Sequence, residues 1–363
     1  MTAATINGER MGRRPTFTAA ATVGVIALVI ALAGVILDAR QAAAAFLVSY
    51  VAVVSVALGV LAMVMIAHLT TATWFGALRG RAAMVLAALP ALAVLGLFVL
   101  LALPVLFPWT RASASARAYL NIPFFIARYV VYWVVWIGLA ALLRRTAAIE
   151  AQGEVVRAAR RYRRISSSGL VMLSITLTFA AFDWMMSLTP DWSSTIYGVY
   201  WFAGGMVGGL ALLALLSRLD HRVPVPVPVP ASTSQSLGKL LLTFVLFWLY
   251  IAFAQYIVIW SGNLPREVTW YVPRTRGAWA GVALVLLLGM FVLPFLGLIM
   301  RAVKRSGTAL AALGALLLVL HWVDTYWMVM PDLVGVTWWA LILALAMAVV
   351  IIELAVMVGR ARA

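Results

Sequence analysis

Apolar runs of 18 or more residues, separated by short clusters of charge, Pro or Gly, recur along nearly the whole of this 363-residue chain. A run of that length closes its backbone hydrogen bonds internally as a helix and is long enough to cross a hydrocarbon core of about 30 Å. Hydrophobic residues make up 65% of the chain and charged residues 10%, against roughly 45–50% and about 25% in soluble domains. No water-soluble core could absorb that excess, so the chain reads as an all-α, polytopic integral membrane protein.

Ten transmembrane spans are predicted, at 17–37, 42–67, 82–106, 123–143, 168–188, 194–217, 237–260, 277–300, 307–330 and 336–358. The first follows Arg10, Arg13 and Arg14. Its apolar core is longer than the roughly 7–15 residues of a signal peptide, so it reads as a retained helix. With the N-terminus inside, 20 of the 27 Lys and Arg residues fall in cytoplasmic segments. That asymmetry is the positive-inside pattern, and it puts both termini in the cytoplasm. The net charge of +16 is thereby a matter of topology and lipid contact, and calls for no nucleic acid.

Two cytoplasmic segments stand out. Residues 144–167 carry seven arginines with Glu150 and Glu154, a composition suited to a short helix on anionic headgroups or to a partner's docking surface. The run VPVPVPVP from Val223 to Pro230 predicts an extended spacer between two halves. An internal match supports the division. Asp183 is followed seven residues later by Pro190 and then Asp191, and Asp324 by Pro331 and Asp332 at the same spacing. A tandem repeat would pair helices two to five with helices six to nine, as two four-helix bundles flanked by peripheral helices one and ten. The expected organisation is a cytoplasmic segment at 1–16, helix one at 17–41, and the first bundle with helix six at 42–217. A Pro-rich linker follows at 218–236, the rest of the second bundle at 237–330, and helix ten with its tail at 331–363.

The chain has no cysteine, which excludes thiolate-ligated iron–sulfur clusters, thiol-attached haem, disulfides and a cysteine nucleophile on this polypeptide. Only His68, His221 and His321 exist. His221 falls in a loop, and His68 and His321 fall near opposite faces, so no pair is expected to clasp one haem.

Ionisable groups within a bilayer are expensive and therefore candidates for function. Asp183 lies about one and a half turns inside the outer end of helix five, and Asp324 similarly in helix nine, with His321 three residues earlier on the same face. Arg128 in helix four, and Gln255 and Tyr256 in helix seven, lie towards the same side. One polar outer cavity is expected, with Arg128 offsetting Asp183 or Asp324 and His321 handling a proton beside an acid. An ion pair that only ties helices together is the competing reading. On the cytoplasmic side, His68 is a weaker candidate, and Lys239 and Glu353 are close enough to the interface to snorkel. Trp192, Tyr197, Tyr200, Trp201, Trp260, Trp270, Tyr271, Trp322, Trp327, Trp338 and Trp339 read mostly as aromatic belts. Gly204, Gly205, Gly208 and Gly209 read as close helix packing.

Four stretches carry a family resemblance: AYLNIPFFIARYVVYW from Ala118, FDWMMSLTPDWSSTIYGVYWFAG from Phe182, FWLYIAFAQYIVIWSGNLPREVTWYV from Phe247 and HWVDTYWMVMPD from His321. Together they resemble the F-type membrane subunit of alternative complex III, a bacterial quinol:cytochrome c oxidoreductase, within the NrfD/polysulfide-reductase superfamily. The resemblance spans about residues 60–335. It implies a ten-helix, cofactor-free subunit of the bacterial inner membrane that pairs with a quinol-binding paralogue. Iron–sulfur and c-type haem groups would then sit on partner subunits, and Asp183, Gln255, His321 and Asp324 would form the polar set of this one. Quinol contact and proton conduction are compatible with that role. Arg266 departs from the pattern, standing where a second acid is expected beside Glu267. Two other classes remain open: a secondary transporter with a buried acid at a repeat interface, and a purely structural anchor. The clustering of Pro and Asp at helix ends, away from the midplane, sets the chain apart from the usual transporter pattern.

Overall fold

The computed structural model describes residues 15–111, 118–218, 228–333 and 337–362. Every regular element among them is helical. Among the described residues nine helices are long and apolar enough to cross a membrane, which makes this a multi-pass membrane protein. A further apolar helix, α1 (Pro15–Leu37), precedes them. The others are α2 (Ala39–Leu69), α3 (Thr73–Leu101), α4 (Ile122–Ala151), α5 (Val155–Leu188), α6 (Tyr197–Leu216), α7 (Ala231–Gly262), α8 (Ala278–Ile299), α9 (Gly307–Asp332) and α10 (Trp339–Met357). Arg10, Arg13, Arg14, His221 and most of the Val223–Pro230 run lie outside the described residues.

Local chemistry explains where helices begin and bend. Asp38 caps α2 by accepting from the Arg40 and Gln41 amides, Asn121 caps α4 from Phe124, and Ser306 caps α9 from Ala309. Pro230 precedes α7 at φ −63° and ψ 153°, the extended geometry expected at the end of a Pro-Val spacer. The single span expected at 82–106 is divided into Arg79–Ala87, Leu89–Leu95, Leu97–Leu101 and Leu103–Leu106. Pro90 and Pro104 each stand in the first turn of a new segment, where a missing N–H costs least. In α8 a π turn over Leu287–Val292 lies just before Pro294, a local irregularity that absorbs the lost hydrogen bond.

The basic 144–167 stretch does not form a separate surface helix. Helix α4 runs on to Ala151 and the next helical turn starts at Val155, so only Gln152–Glu154 connect them. Gly153 makes the reversal at φ +88°, a backbone conformation that disfavours a β-carbon. The Ala- and Arg-rich sequence is a good helix former and carries both spans beyond their apolar parts. Its arginines therefore decorate a helical hairpin.

Helices α2 to α5 touch in a ring, α2 on α3, α3 on α4, α4 on α5 and α5 on α2. Helices α6 to α9 do the same, α6 on α7, α7 on α8, α8 on α9 and α9 on α6. The two rings meet where α2 packs along α6 and α9, while α10 lies on α2 and α1 on α10. Glycines allow the central contact. A β-carbon at Gly59 would stand 2.0 Å from the Gly205 carbonyl oxygen, so the α2 and α6 backbones approach at a distance only glycine permits.

Most of the aromatic residues expected at the membrane interfaces are inside. Trp192, Tyr197, Tyr200, Trp201, Trp270, Trp322 and Trp327 are buried, and Trp260 is exposed. Trp184 contacts Trp136 and Trp201 edge-on, and Trp192 stacks on Trp270. Proximity to a helix end does not reveal which side of the helix a ring occupies, so sequence position alone could not separate belt from core.

Candidate functional site

Four of the predicted polar residues, Arg128, Asp183, His321 and Asp324, fall into two separate clusters. In the first, α4 and α5 bring Arg128 onto Asp183, whose side chain is 1% exposed. Arg128 Nε donates to Oδ2 and Nη2 to Oδ1, both at 2.8 Å. Tyr132, one turn along α4 from Arg128, donates its hydroxyl to Oδ2 at 2.6 Å. The remaining guanidinium nitrogen, Nη1, reaches the Tyr119 carbonyl at 2.9 Å. The plane of the guanidinium is covered by the Tyr119 ring at 3.9 Å and the Phe124 ring at 4.4 Å. Every charge in this network is matched, by a two-pronged ion pair and cation–π contacts.

The second network lies among α2, α6, α7 and α9. Asp324, 2% exposed, accepts the Tyr200 hydroxyl at 2.7 Å on Oδ1 and the Trp248 indole N–H at 3.1 Å on Oδ2. Both donors are neutral. His321 Nε2 stands 2.7 Å from Ser55 Oγ. Ser55 Oγ also lies 2.8 Å from the Ala52 carbonyl, so this hydroxyl links the ring to the α2 backbone. His321 Nδ1 is buried and has no hydrogen-bond partner among the described residues. Both it and Asp324 border the bare Cα of Gly204, where a β-carbon would lie 3.0 Å from Nδ1 and 3.5 Å from Asp324 Oδ2. At Gly208 a β-carbon would lie 3.0 Å from the same imidazole. These two glycines make room for the ring, while Gly205 and Gly209 face α2.

Arg128 thus offsets Asp183, and Asp324 shares no hydrogen-bond partner with that pair. Gln255 is buried in neither network. Its amide nitrogen and oxygen both lack partners, and it lines an open cleft of about 520 Å³ with Phe182, Met186, Ser194 and Glu267. Tyr256 is exposed and meets Tyr271 edge-on at 5.4 Å, apart from the buried acids. His68 lies at the arginine-rich end of α2, stacked on Tyr162 at 3.9 Å. It is thirteen residues from Ser55, the contact of His321, or about 20 Å along the helix.

Several participants were not singled out in the sequence. Tyr132 shares a face with Arg128 at an i, i+4 spacing, a signal that could have been read. Tyr200 reads from sequence as a belt aromatic, and Arg274 carries no sequence signal beyond its charge. Ser55 gave no signal, since a lone hydroxyl in an apolar helix commonly bonds its own backbone. Arg274, fully buried, forms a two-pronged pair with Asp332 through Nη1 and Nη2 and also donates to the Trp270 and Met328 carbonyls at 2.7 and 2.6 Å. Its guanidinium lies 3.7 Å over the Trp270 ring.

Chemically, the first network is a closed lock. The second combines a buried carboxyl that forms no salt bridge among the described residues with an imidazole holding one open nitrogen, an arrangement able to take up and release a proton. Among the described residues no group of three or more His, Asp and Glu side chains could hold a metal ion. No protein-family model matches the chain, and no curated protein is significantly similar to it.

Proposed function

We propose that the chain is a cofactor-free membrane subunit of a respiratory quinol:electron-acceptor oxidoreductase resembling alternative complex III, and that the His321–Asp324 network handles protons within it. The observation that carries this reading is the pairing of Asp324 with neutral donors alone, beside a buried imidazole with an unpartnered nitrogen. Asp324 is held by Tyr200 and Trp248 and forms no salt bridge among the described residues, whereas Asp183 is bound by Arg128. The stretches that resemble the family contain the polar set carried over from it, Asp183, Gln255, His321 and Asp324.

On this proposal the subunit has ten spans, two four-helix bundles and both termini in the cytoplasm of a bacterial inner membrane. The helix contacts support that layout, with α2 to α5 and α6 to α9 as the bundles and α1 and α10 at the periphery. A paralogous membrane subunit would hold the quinol site, and an iron–sulfur subunit and c-type cytochromes would carry the electrons. The unsatisfied amide of Gln255 in its cleft is compatible with contact to quinol. A structural anchor is the second reading, favoured by the fully matched Arg128–Asp183 lock.

Purification in mild detergent tests the assignment, with copurifying haem and iron–sulfur proteins as the expected result. Within such a complex, Asp324→Asn should lower turnover or proton coupling while assembly is retained. Isolation without redox partners would argue against the respiratory role. Unchanged coupling in Asp324→Asn would favour the anchor.

A further inference from the structure

A cavity of about 450 Å³ lies at the arginine-rich end of the molecule, bounded by α2, α3, α4 and Tyr162 on the helix that follows Gly153. Its size is that of a ligand pocket. Its deeper wall is apolar, formed by Phe75, Leu89, Pro90 and Ile137 among others, and its polar groups are His68, Arg79, Arg144 and Tyr162. The broken course of α3 opens it, since Pro90 lines the wall at the first break. The flanking helix surfaces are apolar and exposed, with Val94, Leu97 and Leu101 on α3 and Val134 and Leu142 on α4.

The polar end has unused capacity for an anion. Arg79 spends one nitrogen, Nη1, on both oxygens of Glu150, at 3.0 and 3.1 Å, leaving Nε and Nη2 as donors. Glu150 also accepts the Tyr162 hydroxyl at 3.1 Å, so the acid is already committed on both sides. Arg144 is exposed and makes no ion pair among the described residues. His68 Nδ1 is buried without a hydrogen-bond partner, its ring held flat on Tyr162.

We infer that this crevice is a binding site for an anionic phospholipid, its phosphate between Arg79, Arg144 and His68 and an acyl chain along the apolar wall between α3 and α4. An inorganic anion would use the arginines but leave the apolar wall empty. A zwitterionic lipid would fill the wall but gain less from two arginines and an imidazole. Basic pockets between membrane helices select anionic headgroups on these grounds. The inference is independent of any redox role.

The test is native mass spectrometry of the full chain in mild detergent, titrated with dioleoyl phosphatidylglycerol, dioleoyl phosphatidylcholine or inorganic phosphate. Phosphatidylglycerol should bind about tenfold more tightly than phosphatidylcholine, and the Arg79→Gln/Arg144→Gln variant should lose that preference. Ala140→Phe, which fills the crevice and keeps every charge, should weaken phosphatidylglycerol binding even if the arginine variant misfolds. Arg157→Gln/Arg160→Gln, on the same basic end but outside the crevice, should leave it unchanged. Equal loss in that control would overturn the site in favour of a general basic surface. Inorganic phosphate binding as tightly as the lipid, or Ala140→Phe without effect, would overturn the lipid assignment.

Discussion

Asp183 and Asp324 hold equivalent places in the two halves of the chain, each seven residues before a Pro-Asp pair, yet they are neutralised differently. In the first half a buried arginine, Arg128, sits within α4 and binds the inner acid, Asp183. In the second the buried arginine, Arg274, lies just ahead of α8 and binds the outer acid, Asp332. Moving the cation outward leaves Asp324 with a phenol and an indole. Both arginines are also stacked on an aromatic ring, Tyr119 in one case and Trp270 in the other. The same spacing of acids thus accompanies an arginine-bound inner acid in one half and an inner acid held by neutral donors in the other. The lesson is that the repeated acid does not carry a fixed role; the position of its counter-ion assigns it.

The contrast is easiest to break in the first half. Arg128→Ala strands a buried carboxylate and should cost about 3–5 kcal/mol, seen as a large fall in the thermal unfolding temperature in detergent. Recovery on adding Asp183→Asn would show that the loss comes from the uncompensated charge. Arg274→Ala should cost less, about 2–3 kcal/mol, because Asp332 is 10% exposed and can recover some hydration. If both substitutions cost the same, the two pairs are equivalent locks and exposure does not separate them.

The second half should respond through geometry more than charge. Gly204→Ala places a methyl against His321 and Asp324, and should cost about 1–3 kcal/mol by overpacking while lowering any proton coupling. The smallest change in stability is expected for Asp324→Asn, about 1 kcal/mol, since it removes at most one neutral hydrogen bond and strands no cation. Parallel unfolding curves for Asp183→Asn and Asp324→Asn give the sharpest comparison. A larger loss for Asp324→Asn would mean that the second acid is the structural one.

Much of the site was legible residue by residue. Asp183, Asp324, His321, Arg128 and Gln255 were singled out because a polar group within an apolar run must be accounted for, and all five are buried. Their grouping was not legible. Depth along a helix follows from counting residues, but Asp183 faces α4 whereas Asp324 faces α6 and α7, and helix direction depends on packing. Tyr256 illustrates the same limit: one residue from the buried Gln255, it points outward, because adjacent positions on a helix are about 100° apart.

The sequence by itself determined that this protein is helical and membrane-embedded, since runs of that length and apolarity have no other way to satisfy their backbone. It also determined which residues would be costly to bury. Only the tertiary structure decided which arginine neutralises which acid, which tryptophans are core, and that Gly204 and Gly208 hold space for an imidazole. Those outcomes depend on side chains far apart in the chain meeting within a few ångströms, and the energy of a buried charge is set by that contact, which residue identity and spacing do not encode.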